Sequence, residues 1–590
     1  MLVARFCRVP LLASTAILLV GNCLAAEPKI SFTRQIKSIL AGKCFACHGP
    51  DEKERKAELR LDVRDEAVPA VIKPGDGEHS EVVVRIISDD AETRMPPTDS
   101  KKPAITADEA KLIRLWIDQG AEYDAHWAYV KPTPPIVPAV SKLDWPANPI
   151  DNFVLARLEA KGLTPSLEAD KRTLLRRLSF DIIGLPPTPA QLAQFEADTS
   201  DLAYEKVVDR LLGSRHFGER MALYWLDVVR YADTGGYHSD NHRDVWAYRD
   251  YVIGAFNSNK PFDLFTIEQL AGDLLPGATD EQRIASGYNR LLQTTEEGGA
   301  QPKEYAAKYA ADRVRNTAAI WLASTMGCCE CHSHKFDPFT HKDFYSFAAF
   351  FADVSEKPVG RQDQTKLPTP DQAAQLKALD EELAAAKAEF AIKTPELTAA
   401  REKWEAVARE MPPKGLPAPI LAALKEEVAK RTPKQEDLLD AEFRKQAPEL
   451  AAEREKVAGL EKERAKLDAT MLSTLVSISM PPRTMRILPR GNWLDDSGEV
   501  VSPAIPAFLS KLPPSENRLS RLDLAHWIIS GENSLTARVF VNRLWKIAFG
   551  RGIVKSLEDF GSQGEFPTHP ELLDWLATDF IDSGWDVKRT

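Results

Sequence analysis

Cys44-Phe45-Ala46-Cys47-His48 places two thiols three positions apart, with a histidine directly after the second. That is the spacing of covalent haem c attachment, in which both thiols add to the vinyl groups of one haem and the adjacent imidazole ligates the iron. Cys44 and Cys47 are therefore the expected attachment points and His48 the proximal ligand. The sixth ligand is expected from a later loop. Met95, in Arg94-Met95-Pro96-Pro97, follows His48 by 47 residues and is the only methionine between Met1 and Met221. A thioether opposite imidazole favours reduced iron, which suits electron transfer. His79 and His126 are the fallback ligands, and the competing reading is a zinc or redox CxxC that happens to precede a histidine.

The N-terminus points the same way. Arg5 and Arg8 precede an apolar stretch over 9–20, and Cys23-Leu24-Ala25 is a small-x-small cleavage signal. Residues 1–26 are expected to be a signal peptide that delivers the chain to the periplasm or another extracytoplasmic space, where bacterial haem c is attached. Of seven cysteines, Cys7 and Cys23 would leave with it. The others form two clusters rather than a scattered disulfide framework. The second cluster, Cys328-Cys329-Glu330-Cys331-His332, contains another CxxCH. Cys328 and Cys331 are expected to hold a second haem with His332 on its iron. A Cys328–Cys331 disulfide, or a metal site with His332, His334 or His341, stands against that reading.

The 590 residues are 44% hydrophobic and 28% charged, the balance of a globular chain that can bury cores. A formal net charge of −11 is a poor match for nucleic acid. Beyond the signal no apolar run is long enough for a membrane span. The fold class expected is mainly α and multidomain. A small class I-like cytochrome c domain covers 27–130, with Ser31 and Thr106 capping helices whose apolar faces carry Phe32, Ile36, Leu112 and Trp116. A Pro-rich linker covers 131–147. A helical domain over 148–355 carries the second CxxCH. It also holds a polar stretch with Arg230, Asp233, His238, Asp240, His242, Arg243 and Asp244, followed by Glu296, Glu297 and Asp312. Such charges are ordinarily a solvated face or ion pairs; the functional alternative is a carboxylate-lined cleft with a cation such as calcium. Residues 356–474 read as a helical hairpin or coiled-coil spacer, broken by prolines over 411–448 near its tip. The helical segment 475–590 ends just after Trp585 without a polar tail, so it is expected to be incomplete.

Longer strings then support a resemblance. Cys44-x-x-Cys47-His48-Gly49-Pro50-Asp51 with Arg94-Met95-Pro96-Pro97 resembles the planctomycete cytochrome c domain. Arg230-Tyr231-Ala232-Asp233-Thr234, residues 266–276, Glu296-Glu297-Gly298-Gly299 and residues 331–338 resemble the domain that usually follows it. The segment from Pro489 resembles that family's C-terminal domain of unknown function. Cys329, where the family usually has a small residue, is a departure. The resemblance implies an exported haem protein and supplies no substrate. The resulting expectation is a c-type cytochrome that carries electrons, with one or two haem centres. Two alternatives stay open: a di-haem oxidoreductase with an open second site, and a binding or scaffold protein for a polysaccharide or protein partner. Whether the chain is an enzyme, its redox partner and its oligomeric state are not written in these residues.

Overall fold

The computed structural model describes residues 29–49, 54–413, 415–510, 512 and 515–590. The expected signal peptide over 1–26, and Pro50 and Asp51 of the first motif, lie outside them. The protein is mainly helical, 54% helix against 3% strand. It divides into two compact units. One comprises the chain up to Val130 with Lys335–Asp337 and Gly561–Phe566; the other comprises Lys131–His334, Pro338–Phe560 and Pro567–Thr590.

The first unit is built on two capped helical runs. The Ser31 side chain accepts from the Arg34 amide at the start of the turn Phe32–Ile36, which continues into the helix Lys37–Lys43. Thr106 and Glu109 form a reciprocal capping box on the helix Ala107–Asp118, and the chain leaves that helix through Gly120 at φ +105°. Phe32, Ile36 and Leu40 step by four and meet Ile113, Trp116 and Ile117, all buried. Tyr123 stacks on Phe32 with ring centroids 3.9 Å apart. Each such large apolar side chain contributes roughly 1.5–3 kcal/mol by leaving water. Phe32 and Trp116 thus act as packing residues. Phe336, nearly three hundred positions downstream of Leu40, packs against the same core. Beside it, the Asp337 carboxylate accepts from the Ser562 amide. A Cβ on Gly561 would lie 2.2 Å from Asp337 Oδ2, so only glycine fits there.

The second unit contains both the 148–355 and the 475–590 segments. Its core is aromatic: Trp225 meets Phe262, Phe265 and Trp321, and Phe540 stacks on Phe262 at 3.7 Å. Charged groups are buried beside it. Arg521, completely buried, donates to Asp273 at 2.7 and 2.8 Å and to Asp353 at 2.9 and 3.0 Å, while the Leu270 carbonyl accepts a further bond. Glu356 receives a bidentate bond from Arg313.

The helices Pro370–Ala391 and Ala451–Ala469 run antiparallel, as the pairs Asp380–Arg464, Lys387–Glu461 and Glu389–Lys456 show. The strands Thr365–Leu367 and Leu472–Thr474 pair at the base of this arm. Ala386 is the one buried residue on the first arm helix and the second has none, so the exposed ion pairs between them add little to stability. The proline-broken stretch at the tip is not loop. Pro395–Glu410, Ala418–Lys425 and Pro433–Gln446 are helices that bury Ala408, Ile420, Leu424 and Leu439 among themselves. Pro395, Pro419, Pro433 and Pro448 sit at helix starts, where the missing N–H costs nothing, while Pro412 and Pro413 follow the end of Pro395–Glu410.

Arg521→Ala should lower stability by about 3–5 kcal/mol, because it leaves two buried carboxylates without a counter-charge. Arg464→Ala, on the exposed arm, should leave the unfolding midpoint unchanged. Urea unfolding of both variants checks this; equal midpoints would refute a central role for Arg521.

Candidate functional site

The first CxxCH is held by its own backbone. The Cys47 and His48 amides donate to the Cys44 carbonyl at 3.0 and 2.9 Å, which forms the short helix Phe45–His48. The Leu61 amide donates to the His48 carbonyl at 2.9 Å and the Lys56 amide to Cys47 at 2.8 Å. Gly49 is required by close approach: a Cβ there would lie 2.4 Å from the Phe45 carbonyl oxygen.

Cys44, Cys47, His48 and Met95 all line one cavity of about 440 Å³. Leu59, Leu61, Val71, Val82 and Ile86 supply apolar surface between them. The Met95 amide donates to the Arg85 carbonyl at 3.0 Å, which fixes the loop after the helix Glu81–Ile86. Burial pushes the Cys44 thiol up to about 12, so it stays protonated at neutral pH. Burial also lowers the His48 imidazole below its ordinary range. His48 Nδ1 lies 3.2 Å from the Lys56 carbonyl, a contact in which the ring donates. A neutral imidazole that donates through Nδ1 keeps its Nε2 lone pair for a metal. Of the charged lining groups, Lys43 pairs with Glu109 and Arg85 with Glu81. Lys102 lines the cavity without a side-chain partner among the described residues.

The fallback ligands lie elsewhere. His79 is exposed and bonded to Asp76. His126 is buried and caps the turn Trp127–Tyr129. Neither is among the residues that line the cavity.

The second CxxCH occupies different surroundings. Cys328 and Cys331 are exposed, on the turn Met326–Glu330 and just after it. Cys329 is buried, its thiol donating to the Phe339 carbonyl at 3.5 Å; it is a core residue and not part of an exposed trio. His332 Nδ1 contacts the Ser333 carbonyl at 2.7 Å, the same engagement that His48 makes. His341 Nε2 lies 3.1 Å from the Glu330 carbonyl, and His334 is buried against Thr325. The backbone at Gly491 approaches closely: a Cβ there would sit 3.0 Å from Cys331 Sγ.

The polar stretch resolves into internal pairs. Asp312 takes a bidentate bond from Arg230, Tyr231 donates to Asp233, and Arg521 occupies Asp273. The His238 amide donates to Glu297, and the Asn241 amide side chain to Glu296. His238 and His242 lie in a loop, not on a helix face. Among the described residues no group of three or more His, Cys, Asp or Glu side chains could hold a metal ion. Beyond Cys44, Cys47, His48 and Met95, the lining of the first cavity carries no signal in the sequence. Its apolar residues carry no motif, and Lys102 has no signal at all.

Three family models match the chain in order: Planctomycete cytochrome C over 44–99, a protein of unknown function (DUF1549) over 149–356, and a protein of unknown function (DUF1553) over 520–590. The chain carries a planctomycete cytochrome c domain. That domain implies haem c, and the donor set around its cavity fits the group: two thiols, one imidazole with a free lone pair and one thioether. The DUF1549 match includes the second CxxCH. No curated protein and no solved structure matches the chain.

His126 gives the cytochrome c unit a pH signature. Burial lowers its imidazole to about 4, against which the nearby Asp337 carboxylate pulls upward, whereas an unfolded histidine titrates near ~6.5. As pH falls the unfolded chain takes up the proton first. The contribution of His126 is therefore complete above about pH 6.5 and is lost as pH falls toward 4, on the order of 3 kcal/mol. Urea midpoints measured between these limits should fall less steeply for His126→Gln than for the native chain; parallel curves would exclude the residue.

Proposed function

We propose that the protein is an exported c-type cytochrome that binds haem covalently in its first unit and carries electrons. The reading rests on one observation: Cys44, Cys47, His48 and Met95 line a single, mainly apolar cavity. Haem supplies a one-electron couple. Cys44 and Cys47 would hold it through thioethers, each thiol adding its sulfur and hydrogen across one vinyl group. His48 would present Nε2 to the iron while the Lys56 carbonyl fixes the ring and raises its basicity. Met95 would present its sulfur as the sixth ligand. The apolar side chains exclude water and disfavour the more charged oxidised state, so they raise the potential together with the thioether. Lys102, uncommitted on the cavity wall, is placed to pair with a propionate.

Met95→Ala should remove the far-red sulfur-to-iron charge-transfer band of the oxidised protein and lower its potential, whereas His79→Ala should change neither. A Met95→Ala protein that keeps the band would place the sixth ligand elsewhere.

The second CxxCH supports a second reading, a di-haem protein, because His332 shares the carbonyl engagement of His48 and Cys328 and Cys331 are accessible for attachment. Peptide mass spectrometry across 328–332 distinguishes the cases. A haem-mass adduct would support two centres, and a pyridine haemochrome assay should then count two haems per chain. Free or mutually oxidised cysteines there, with one haem per chain, would confine haem to the first unit.

A further inference from the structure

The polar stretch that the haem chemistry leaves unused surrounds a second cavity, of about 520 Å³, within the larger unit. Arg230, Thr234, Tyr237, Asp240, Arg243 and Gln293 line it. Its character follows from which groups are already committed. The acidic side chains nearby are occupied: Asp312 by Arg230, Asp233 by Tyr231, Glu297 and Glu296 by the 238–241 loop. Asp240 itself takes the Gly236 amide at 3.0 Å and the Thr234 hydroxyl.

The donors are not used up. A guanidinium carries five N–H groups. Arg230 spends only two, both on Asp312. Arg243 is buried, and its four bonds go to the carbonyls of Ala232, Arg290, Leu291 and Leu292. It forms no ion pair with a carboxylate among the described residues. Its direct bonds are to carbonyls alone, Asp233 and Asp240 acting on it only through space; burying such a cation is costly, and one of its N–H groups is uncommitted. The Gln293 amide and the Tyr237 hydroxyl have no partner among the described residues either.

The cavity wall is also strained. Arg230, Tyr237 and Asp240 all sit at positive φ, 59°, 54° and 38°, in a loop pinned by the Thr294 amide on the Gly235 carbonyl at 2.7 Å. Non-glycine residues held this way cost of order 1–3 kcal/mol each and cluster where ligands are gripped. The same loop carries most of the lining residues, from Arg230 to Arg243.

We propose that this cavity binds a small sugar acid. Its carboxylate would meet the free N–H groups of Arg230 and Arg243, and its hydroxyls the Gln293 amide and the Tyr237 hydroxyl. A hard cation does not fit, since the carboxylates face internal donors. A hydrophobic ligand does not fit, since Leu291 and Ala232 are the only aliphatic side chains on the wall. The volume falls within the range for small-molecule sites, about 300–1,000 Å³. The site is independent of haem.

Isothermal titration calorimetry of the full chain with D-glucuronate, D-glucose and acetate tests the proposal. Glucuronate should bind saturably, one per chain, and at least about tenfold more tightly than either comparator. Arg230→Gln and Gln293→Ala should each weaken it by about tenfold while far-UV circular dichroism is unchanged, and Arg283→Gln, on a surface helix, should not. Absence of saturable heat with glucuronate, equal binding of glucose, or native affinity in both cavity variants would overturn it. Acetate binding as tightly as glucuronate would mean a bare anion site and would overturn the sugar part.

Discussion

Arg521 is the constraint on which the larger unit depends. One guanidinium, with no solvent contact, is shared by Asp273 and Asp353 and tied to the Leu270 carbonyl. Taking these charges out of water costs several kcal/mol per ion, and only near-ideal geometry offsets it. Both carboxylates lie in the DUF1549 match, while the arginine lies in the DUF1553 match. The two matched segments are separated by the long helical arm, yet neither can bury its own charges without the other. Two regions that are distinct along the chain are therefore one body in space, and the arm is an insertion into it. The paired strands at the arm's base return the chain close to where it left.

Burial logic of the opposite kind shapes the smaller unit. Its cavity is sheltered by aliphatic side chains, and the cations on its wall, Lys102 apart, are matched by Glu81 and Glu109. Its walls are set by the capped helices, the Phe32–Trp116–Tyr123 aromatic cluster and the hydrogen bond from Met95 to Arg85. Leu61, Val82 and Ile86 on the cavity wall belong to the same buried core, so the core itself bounds the cavity.

Much of this was legible in the residues. Helix starts at Ser31 and Thr106 carry the chemistry of capping, and the four-residue steps of Phe32, Ile36 and Leu40 declare a buried face. The CxxCH string declares its own local turn, since three residues suffice to close it. What could not be read is everything set by long-range partners. Nothing around Phe336 or Asp337 announces that they belong with the first unit's core, nor does Arg521 advertise two buried carboxylates. The polar stretch reads first as a solvated face or ion pairs, and internal pairs are what the fold makes of it, but which donor meets which carboxylate is set by partners far along the chain. At the tip of the arm the prolines do break the helices, and Pro419, Pro433 and Pro448 also start new ones, a distinction that composition alone does not carry.

The two CxxCH strings show why a motif and a site are different objects. Both put a histidine after the second thiol, and both histidines engage a backbone carbonyl through Nδ1. In the first, the two cysteines line the same cavity as a thioether, Met95. In the second, Cys328 and Cys331 are exposed, and the residue between them, Cys329, is what the core takes. Covalent attachment needs only the local string, because it depends on two sulfurs at the right separation. Potential and ligand choice depend on solvent access and on what stands opposite the imidazole. A haem held by the second string would meet water where one held by the first would meet Leu59, Leu61 and Met95. Identical local chemistry would then give two centres of unequal potential, with the exposed centre the easier to oxidise.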